Sequence, residues 1–364
     1  MSAASPLLDA ATRELADFAR GLAATLPALV AAARRVERAP DGCSAKQVVF
    51  QQDKLRLYRY APLAPPAGLR PILICYALVN RPYMMDLQED RSLIRALLSA
   101  GLDVYLIDWG YPDGADRFVS LDDYINGYLD RCVRHVLAAH DIDTLNLLGV
   151  CQGGTFSLCY TALHPRNVRN LITMVTPVDF KTPENLLSKW VQKIDVSLMT
   201  QAGNFPGELL NLAFLSLMPF RLTRQKYLGL TDMADYSREL ADFLRMEKWI
   251  FDSPDQASAA FGEFIRWFYQ ENRLIQGRLE IGGRTVELAK ITQPVLNIYA
   301  TRDHLVPPSA STALGKQIGS QDYVAAGIDT GHIGMYVSAT GLREVPSKIV
   351  RWLGSRSAVT SRAN

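Results

Sequence analysis

The stretch LNLLGVCQGGTFSLCY, residues 145–160, contains the residues that decide the fold. An apolar run ends at a glycine, a cysteine follows, and apolar and small residues then continue at helical spacing. This order is typical of a nucleophile elbow, in which a strand, a sharp turn and a helix place the nucleophile in the middle of G-x-nucleophile-x-G. The nucleophile is then Cys151. Gly149 and Gly153 flank it because larger side chains would collide in so tight a turn.

The same turn predicts how the thiol is activated. It places the Cys151 sulfur at the N-terminus of a helix, where the helix dipole and free N–H groups favour a thiolate. We expect the backbone N–H of Gln152 to donate to an oxyanion. The second donor is expected in the loop after an early strand, and we assign it to Val79. In isolation, a glycine-flanked cysteine is also compatible with a small buried thiol in a tight turn.

An acid and a base follow the cysteine in chain order. The apolar run PVLNIYA leads into Asp303, and a later strand leads into His332. The order cysteine, aspartate, histidine is that of a triad in which the imidazole takes the thiol proton and the carboxylate orients the ring. Two nearby residues are alternatives. We interpret Asp329 as a surface turn residue and His304 as a structural neighbour of the acid.

Short apolar strands alternate with helical stretches over residues 46–180 and 287–355. Such strands joined by helices predict an α/β core with a mostly parallel central sheet covered on both faces. Residues 181–286 are mostly helical and rich in aromatics, which predicts a cap or lid insertion. Residues 1–45 predict an N-terminal helical arm, either folded back on the core or docking a partner, and residues 356–364 a mobile tail. The predicted core strands are LRLYRYAP, PILICYAL, VYLIDWG, TLNLLGV, LITMVTP, PVLNIYA and DYVAAGI.

Composition narrows the class of protein. Of 364 residues, 48% are hydrophobic and 21% charged, as expected for a globular chain. The 39 basic and 37 acidic residues nearly balance, which gives no support to nucleic-acid binding. The five cysteines include no CxxC pair, so we expect reduced thiols and a cytoplasmic protein. We expect no signal peptide, no membrane span and no metal site, since no cluster of metal-ligating residue types has the required spacing.

Eight motifs together resemble the catalytic subunit of class III polyhydroxyalkanoate synthases. The similarity covers about residues 45–354 and is weakest in the arm. The resemblance implies an α/β-hydrolase fold with a helical cap. It also implies polymerisation of (R)-3-hydroxyacyl-coenzyme A, chiefly 3-hydroxybutyryl-coenzyme A, into polyester. Coenzyme A is then the leaving group of the substrate, and no cofactor is implied. The motifs are YALVNRPYMMDLQEDRS, VYLIDWGYPDGADR, LDDYINGYLDRC, LLGVCQGGTFSLCY, TMVTPVDF, FLRMEKWIFDSPDQA, LNIYATRDHLVPPS and GHIGMYVS.

The resemblance also implies residue roles and partners. The family nucleophile falls on Cys151, its general base on His332 and its aspartate on Asp303, which would assist His332 in activating the 3-hydroxyl of the incoming unit. The implied partners are a companion synthase subunit, a second copy bound through the cap and the surface of a polymer granule in the cytoplasm. The bacillus-type class is similar in length and uses a different companion.

Two other functions compete with polymerisation. A cysteine-dependent thioesterase or dienelactone-type hydrolase would use the same triad with water as the acceptor. A binding module on the same fold would be expected to lack a triad member, and none is missing here. Cysteine in place of serine favours a thioester donor, because exchange between two thiols of similar basicity is nearly isoenergetic.

Overall fold

The structure is a computed structural model that describes residues 36–37, 41–201, 203–217 and 237–357. The chain divides into two compact units, one of residues 41–210 with 253–364 and one of residues 1–40 with 211–252. All predicted site residues belong to the first unit. Most of the predicted arm lies outside the described residues, as does the predicted tail after Ser357.

Within the described residues, eight strands form one mixed sheet in the order β1-β2-β4-β3-β5-β6-β7-β8. β1 pairs with β2 and β2 with β4 in antiparallel fashion, and the remaining neighbours are parallel. The predicted mostly parallel sheet is thus confirmed. The strands are β1 (Lys46–Gln52), β2 (Leu55–Tyr60), β3 (Ile72–Cys75), β4 (Val104–Asp108), β5 (Leu145–Val150), β6 (Val168–Met174), β7 (Val295–Ala300) and β8 (Tyr323–Ile328).

Helices connect these strands and cover the sheet. Two π-helical stretches, Asp123–Leu129 and Ile265–Gln270, each adjoin an α-helix. The α-helices of the described residues are α1 (Leu93–Ser99), α2 (Asp130–His140), α3 (Gln152–Leu163), α4 (Leu186–Val191), α5 (Val196–Gln201), α6 (Gly207–Leu217), α7 (Ser237–Phe251), α8 (Ser258–Phe264), α9 (Pro308–Thr312), α10 (Gly334–Val337) and α11 (Ala339–Ser357).

Burial follows the position of each strand in the sheet. The central strands β3, β4 and β5 are buried at every residue, as expected where helices cover both faces of a parallel sheet. β1 has the sequence KQVVFQQ and lies at the edge with several residues exposed. Its polar composition explains why the sequence pattern did not predict it, since an edge strand need not present a continuous apolar run.

The helix after β5 holds the turn in the centre of the larger unit. Eleven residues of α3 are buried, and its apolar character on all sides is that of a helix enclosed by the core. Phe156 on α3 packs edge-on against Phe264 at the end of α8, with 6.0 Å between ring centroids. The turn before α3 is therefore supported by the sheet and by the helical insertion.

The predicted cap, residues 181–286, does not coincide with one compact unit. Helices α4, α5 and α8 belong to the unit of the sheet, whereas α7 belongs to the smaller unit. The cap boundaries stay a prediction. Among the described residues, no helix is both long enough and apolar enough to cross a lipid bilayer.

Candidate functional site

Cys151 occupies the turn between β5 and α3 in a strained conformation. Its backbone angles are φ 53° and ψ −122°, a region that non-glycine residues seldom occupy. The Cys151 N–H donates to the carbonyl of Met174 at 2.9 Å, and the Cys151 carbonyl accepts from Gly154 N at 2.9 Å. Bonds to both neighbouring elements hold the strained residue, with its side chain at the N-terminus of the helix.

Glycines permit this turn because other groups approach their α-carbons closely. A Cβ on Gly149 would lie 2.5 Å from the Gly154 α-carbon, and one on Gly153 would overlap the carbonyl oxygen of Cys75. A Cβ on Gly154 would overlap the hydroxyl of Thr176. The steric requirement therefore includes Gly154, which the motif itself does not single out.

Asp303 and His332 come together from the loops after β7 and β8. His332 Nδ1 lies 2.7 Å from Asp303 Oδ2, and the two side chains are 7% and 0% exposed. The other carboxylate oxygen of Asp303 accepts from the backbone N–H groups of Leu305 and Val306, both at 2.9 Å. These bonds fix the carboxylate, which in turn fixes the orientation of the imidazole.

The pKa of His332 is raised well above its ordinary value. Burial acts to lower it, but the negative charges of Asp303 and Cys151, and the hydrogen bonds to both, outweigh burial. Cys151 thus lies close enough to His332 for the two groups to interact directly. The arrangement favours an imidazolium that is held by a carboxylate and lies beside Cys151.

The alternative acid and base have other surroundings. The Asp329 side chain is 77% exposed and pairs with Arg302 at 2.9 Å. It is a surface residue of the β8 end, as the sequence suggested. His304 follows Asp303 directly, but it is His332 that lies against the Asp303 carboxylate.

The loop after β3 is held from both sides at Leu78. The side-chain oxygen of Gln152 accepts from the Leu78 N–H at 3.0 Å, and Gln256 donates to the Leu78 carbonyl at 3.2 Å. Within the described residues, neither the Gln152 N–H nor the Val79 N–H donates to another group. Both amides predicted to face an oxyanion are therefore available, and the Gln152 side chain links the two segments that carry them.

The charge of Cys151 acts on three tyrosines that the sequence analysis did not assign to the site. They are Tyr76, directly after β3, Tyr269, in the second π-helical stretch, and Tyr336, in α10. Burial raises the pKa of each phenol, and the negative charge of Cys151 raises it further. Their sequence positions give no signal, because buried tyrosines are common in any core.

The remaining cysteines have a different environment. Cys75, Cys132 and Cys159 are buried, and burial raises the pKa of each thiol, to about 12 for Cys75. Buried neutral thiols of this kind are unreactive. In the part of the chain that the structure describes, no three His, Cys, Asp or Glu side chains converge as they would around a metal ion.

Comparisons with known proteins agree with this architecture. Residues 70–339 match the alpha/beta hydrolase fold family, which confirms the predicted fold class. The chain is also similar to a solved hydrolase from Pseudomonas aeruginosa PA01. The TM-score is 0.52 with 15% identity, and the match covers 85% of this chain and 98% of the hydrolase. At that identity the likeness shows the fold alone.

Two curated relatives and a second family give a closer match. Residues 41–97 match the family described as poly-beta-hydroxybutyrate polymerase (PhaC) N-terminus. The poly(3-hydroxyalkanoate) polymerase subunit PhaC of Allochromatium vinosum is 56% identical over 354 residues, which is 96% of this chain and 98% of the relative. The subunit of the same name from Thiocystis violacea is 56% identical over 321 residues, covering 87% of this chain and 90% of the relative. The chain therefore belongs to the PhaC family of poly(3-hydroxyalkanoate) polymerase subunits, in the α/β-hydrolase superfamily.

Proposed function

We propose that this polymerase subunit joins (R)-3-hydroxyacyl units, chiefly 3-hydroxybutyryl, from coenzyme A thioesters into polyester through a covalent thioester on Cys151. The observation that carries the proposal is the buried Asp303–His332 pair, with Cys151 beside it at the elbow. A thiolate next to an imidazolium is the arrangement that thiol acyl transfer requires.

The first step is acylation. The Cys151 sulfur attacks the thioester carbonyl, and the oxygen of the tetrahedral intermediate carries a negative charge that the N–H groups of Gln152 and Val79 would stabilise. The bond to the coenzyme A sulfur then breaks, and the imidazolium of His332 donates its proton to the leaving thiolate. One thioester replaces another, so the step is close to isoenergetic.

The second step is elongation. His332, now neutral, accepts the proton of the 3-hydroxyl of a hydroxyacyl unit, and the hydroxyl oxygen attacks an acyl thioester to form an ester bond. The carbon–sulfur bond of that thioester breaks, and its sulfur leaves as a thiolate whose charge the imidazolium of His332 balances. Asp303 assists in this step by stabilising the imidazolium that forms. Its carboxylate is fixed by two backbone N–H groups and is suited to hold that charge without moving.

Partner proteins follow from the same proposal. Both relatives are named as polymerase subunits, which supports a companion subunit of the class III type for this chain. We include in the proposal a homodimer formed through the cap and association with the surface of the polymer granule.

Incubation with 3-hydroxybutyryl-coenzyme A, alone and with a companion subunit, tests the function. Free thiol and product size are measured together. Cys151→Ala is expected to abolish both coenzyme A release and polymer. The control is Cys43→Ser, which keeps a donor to the buried carboxylate of Asp86 and should retain activity. Turnover by Cys151→Ala contradicts the mechanism, and monomeric 3-hydroxybutyrate as the sole product indicates a hydrolase.

A further inference from the structure

Two tyrosines meet beside the nucleophile from different parts of the chain. Tyr76 begins the loop that carries Val79, and Tyr336 lies one helical turn after His332. Their ring centroids are 6.4 Å apart, with 60° between the ring planes. The negative charge of Cys151 acts on both phenols, and that of Asp303 acts on Tyr336. Tyr76 also contacts the elbow through its backbone, since its carbonyl oxygen would lie 2.5 Å from a Cβ on Gly153, and the pair is therefore next to the turn that holds the reacting sulfur.

The hydroxyl groups of this pair form no hydrogen bond to another group of the described residues. Tyr76 is 4% and Tyr336 is 1% exposed, and within the described residues neither hydroxyl makes a hydrogen bond, nor is either among the side-chain atoms that are both fully buried and unpaired. Two other buried tyrosines do make such a bond, since Tyr105 pairs with His140 and Tyr160 donates to Asp130, both at 2.9 Å, whereas the hydroxyl of Tyr60 is fully buried without a partner. Each hydroxyl of the pair therefore keeps some surface open to a ligand, and a polar atom placed here gains a hydrogen bond in surroundings from which most water is excluded.

The chemistry of the substrate indicates which atom this is. The carbonyl oxygen of the reacting thioester accepts hydrogen bonds from the backbone N–H groups of the oxyanion hole. The next polar atom along the acyl chain is the oxygen on carbon 3, and it can accept a hydrogen bond. Burial raises the pKa of both phenols, so they stay protonated and act as donors.

We propose that the hydroxyls of Tyr76 and Tyr336 donate hydrogen bonds to the 3-oxygen of the acyl group that enters at Cys151, and so select 3-hydroxyacyl thioesters over thioesters without that oxygen. This inference rests on the proposed function and adds a basis for its substrate class. The 3-oxygen accepts through its lone pairs, so its own proton stays available to His332. A site built to bind a hydroxyl discriminates strongly against an analogue that lacks it, because its buried polar groups are then left unpaired.

The test compares acylation of Cys151 by 3-hydroxybutyryl-coenzyme A and by butyryl-coenzyme A. First-turnover release of coenzyme A gives a specificity constant for each thioester. The ratio of the two is measured in the wild type, in Tyr76→Phe, in Tyr336→Phe and in the double variant. We expect the double variant to lower the ratio roughly tenfold and each single variant to lower it in part, since each removes one hydrogen bond.

Tyr124→Phe is the matched control. Tyr124 is also buried, its pKa is also raised by burial, and its ring packs on Trp109, but Cys151 does not act on it. It should keep the wild-type ratio. A wild-type ratio in the double variant overturns the proposal, and if that variant fails to fold, wild-type ratios in both single variants do so. Failure of wild-type Cys151 to be acylated by either thioester contradicts the proposed function instead.

Discussion

Nδ1 of His332 and Oδ2 of Asp303 are 2.7 Å apart, and neither side chain is more than 7% exposed. A bond of this length between a buried imidazole and a carboxylate fixes which ring nitrogen faces the acid. The other nitrogen is then left for a second partner, and Cys151 is a group that also acts on His332. In the proposed mechanism the two residues have separate roles, proton transfer by His332 and charge stabilisation by Asp303.

Replacing Asp303 with asparagine should affect the two steps of the reaction differently. Acylation starts from a thiol that is acidic in its own right, whereas elongation needs a base strong enough to activate an alcohol. We expect Asp303→Asn to lower elongation by about 10²- to 10⁴-fold and acylation by much less. First-turnover release of coenzyme A reports acylation, and polymer yield reports elongation. Equal loss of both would reduce Asp303 to a residue that only orients the ring.

The raised pKa of His332 predicts a dependence of stability on pH. In the unfolded chain this histidine has a pKa of about 6.5, and in the folded protein the value is higher. The folded state therefore holds the proton more tightly. The resulting stability is fully present below the unfolded pKa and is lost as pH rises through the folded one, by at most about 1.4 kcal/mol per pH unit.

His332→Gln isolates this contribution. Between about pH 7 and pH 9, the free energy of unfolding of the wild type should fall more steeply than that of the variant. Buried tyrosines and the buried cysteines Cys75, Cys132 and Cys159 also titrate on unfolding, but they do so in both proteins and cancel in the difference. Cys151 acts on His332 and does not cancel, so both proteins carry Cys151→Ala for this comparison. Denaturant melts at several pH values provide the measurement. Parallel curves would mean that His332 is not held protonated in the folded protein.

Gly153, one of the glycines that flank Cys151, allows a prediction based on steric overlap. A Cβ on Gly153 would overlap the Cys75 carbonyl and lie 2.5 Å from that of Tyr76, and backbone atoms cannot yield as the end of a side chain can. Gly153→Ala should therefore destabilise the protein by about 2–4 kcal/mol, the range of overpacked or strained sites. Gly127, in the first π-helical stretch, has no atom within 4 Å of a Cβ position. Gly127→Ala should be neutral or stabilising by up to about 1 kcal/mol, and chemical denaturation compares the two.

Much of the fold can be predicted from the local pattern of apolar and polar residues. Buried parallel strands such as β5 and β7 are continuous apolar runs, and the glycines around Cys151 mark the elbow between strand and helix. β1 was not predicted, because an edge strand has too few apolar residues to give a clear strand pattern. The sequence pattern does not reveal the π-helical stretch Asp123–Leu129, since an apolar pattern does not distinguish i+4 from i+5 bonding.

The site was predictable where chemistry and chain order coincide. Cys151, Asp303 and His332 are residue types with few other reasons to follow strands in that order. The sequence gives no comparable signal for Tyr76 and Tyr336, because a tyrosine in an apolar segment is usually part of the core. Only the tertiary structure shows that their hydroxyls lack protein partners beside the nucleophile.

The side chain of Gln152 provides a last prediction, distinct from the role of its backbone. Its oxygen accepts from the Leu78 N–H at 3.0 Å and so ties the loop of Val79 to the start of α3. Gln152→Met keeps the volume and the backbone N–H but removes the acceptor, which leaves a buried N–H unpaired at a cost of about 1–3 kcal/mol. If this tie positions Val79, acylation should slow roughly tenfold or more while the KM for the thioester changes little, because an oxyanion donor acts mainly in the transition state.

Gln152→Glu is the matched variant, since a carboxylate oxygen can still accept from Leu78. It restores the acceptor but buries a charge, so it should recover only part of the stability lost in Gln152→Met, and comparing the two separates the tie from general packing. Single-turnover acylation and thermal melts on the same preparations provide the readouts. Normal acylation by a destabilised Gln152→Met would assign the bond to folding alone, and the second oxyanion donor would then have to lie elsewhere than on this loop.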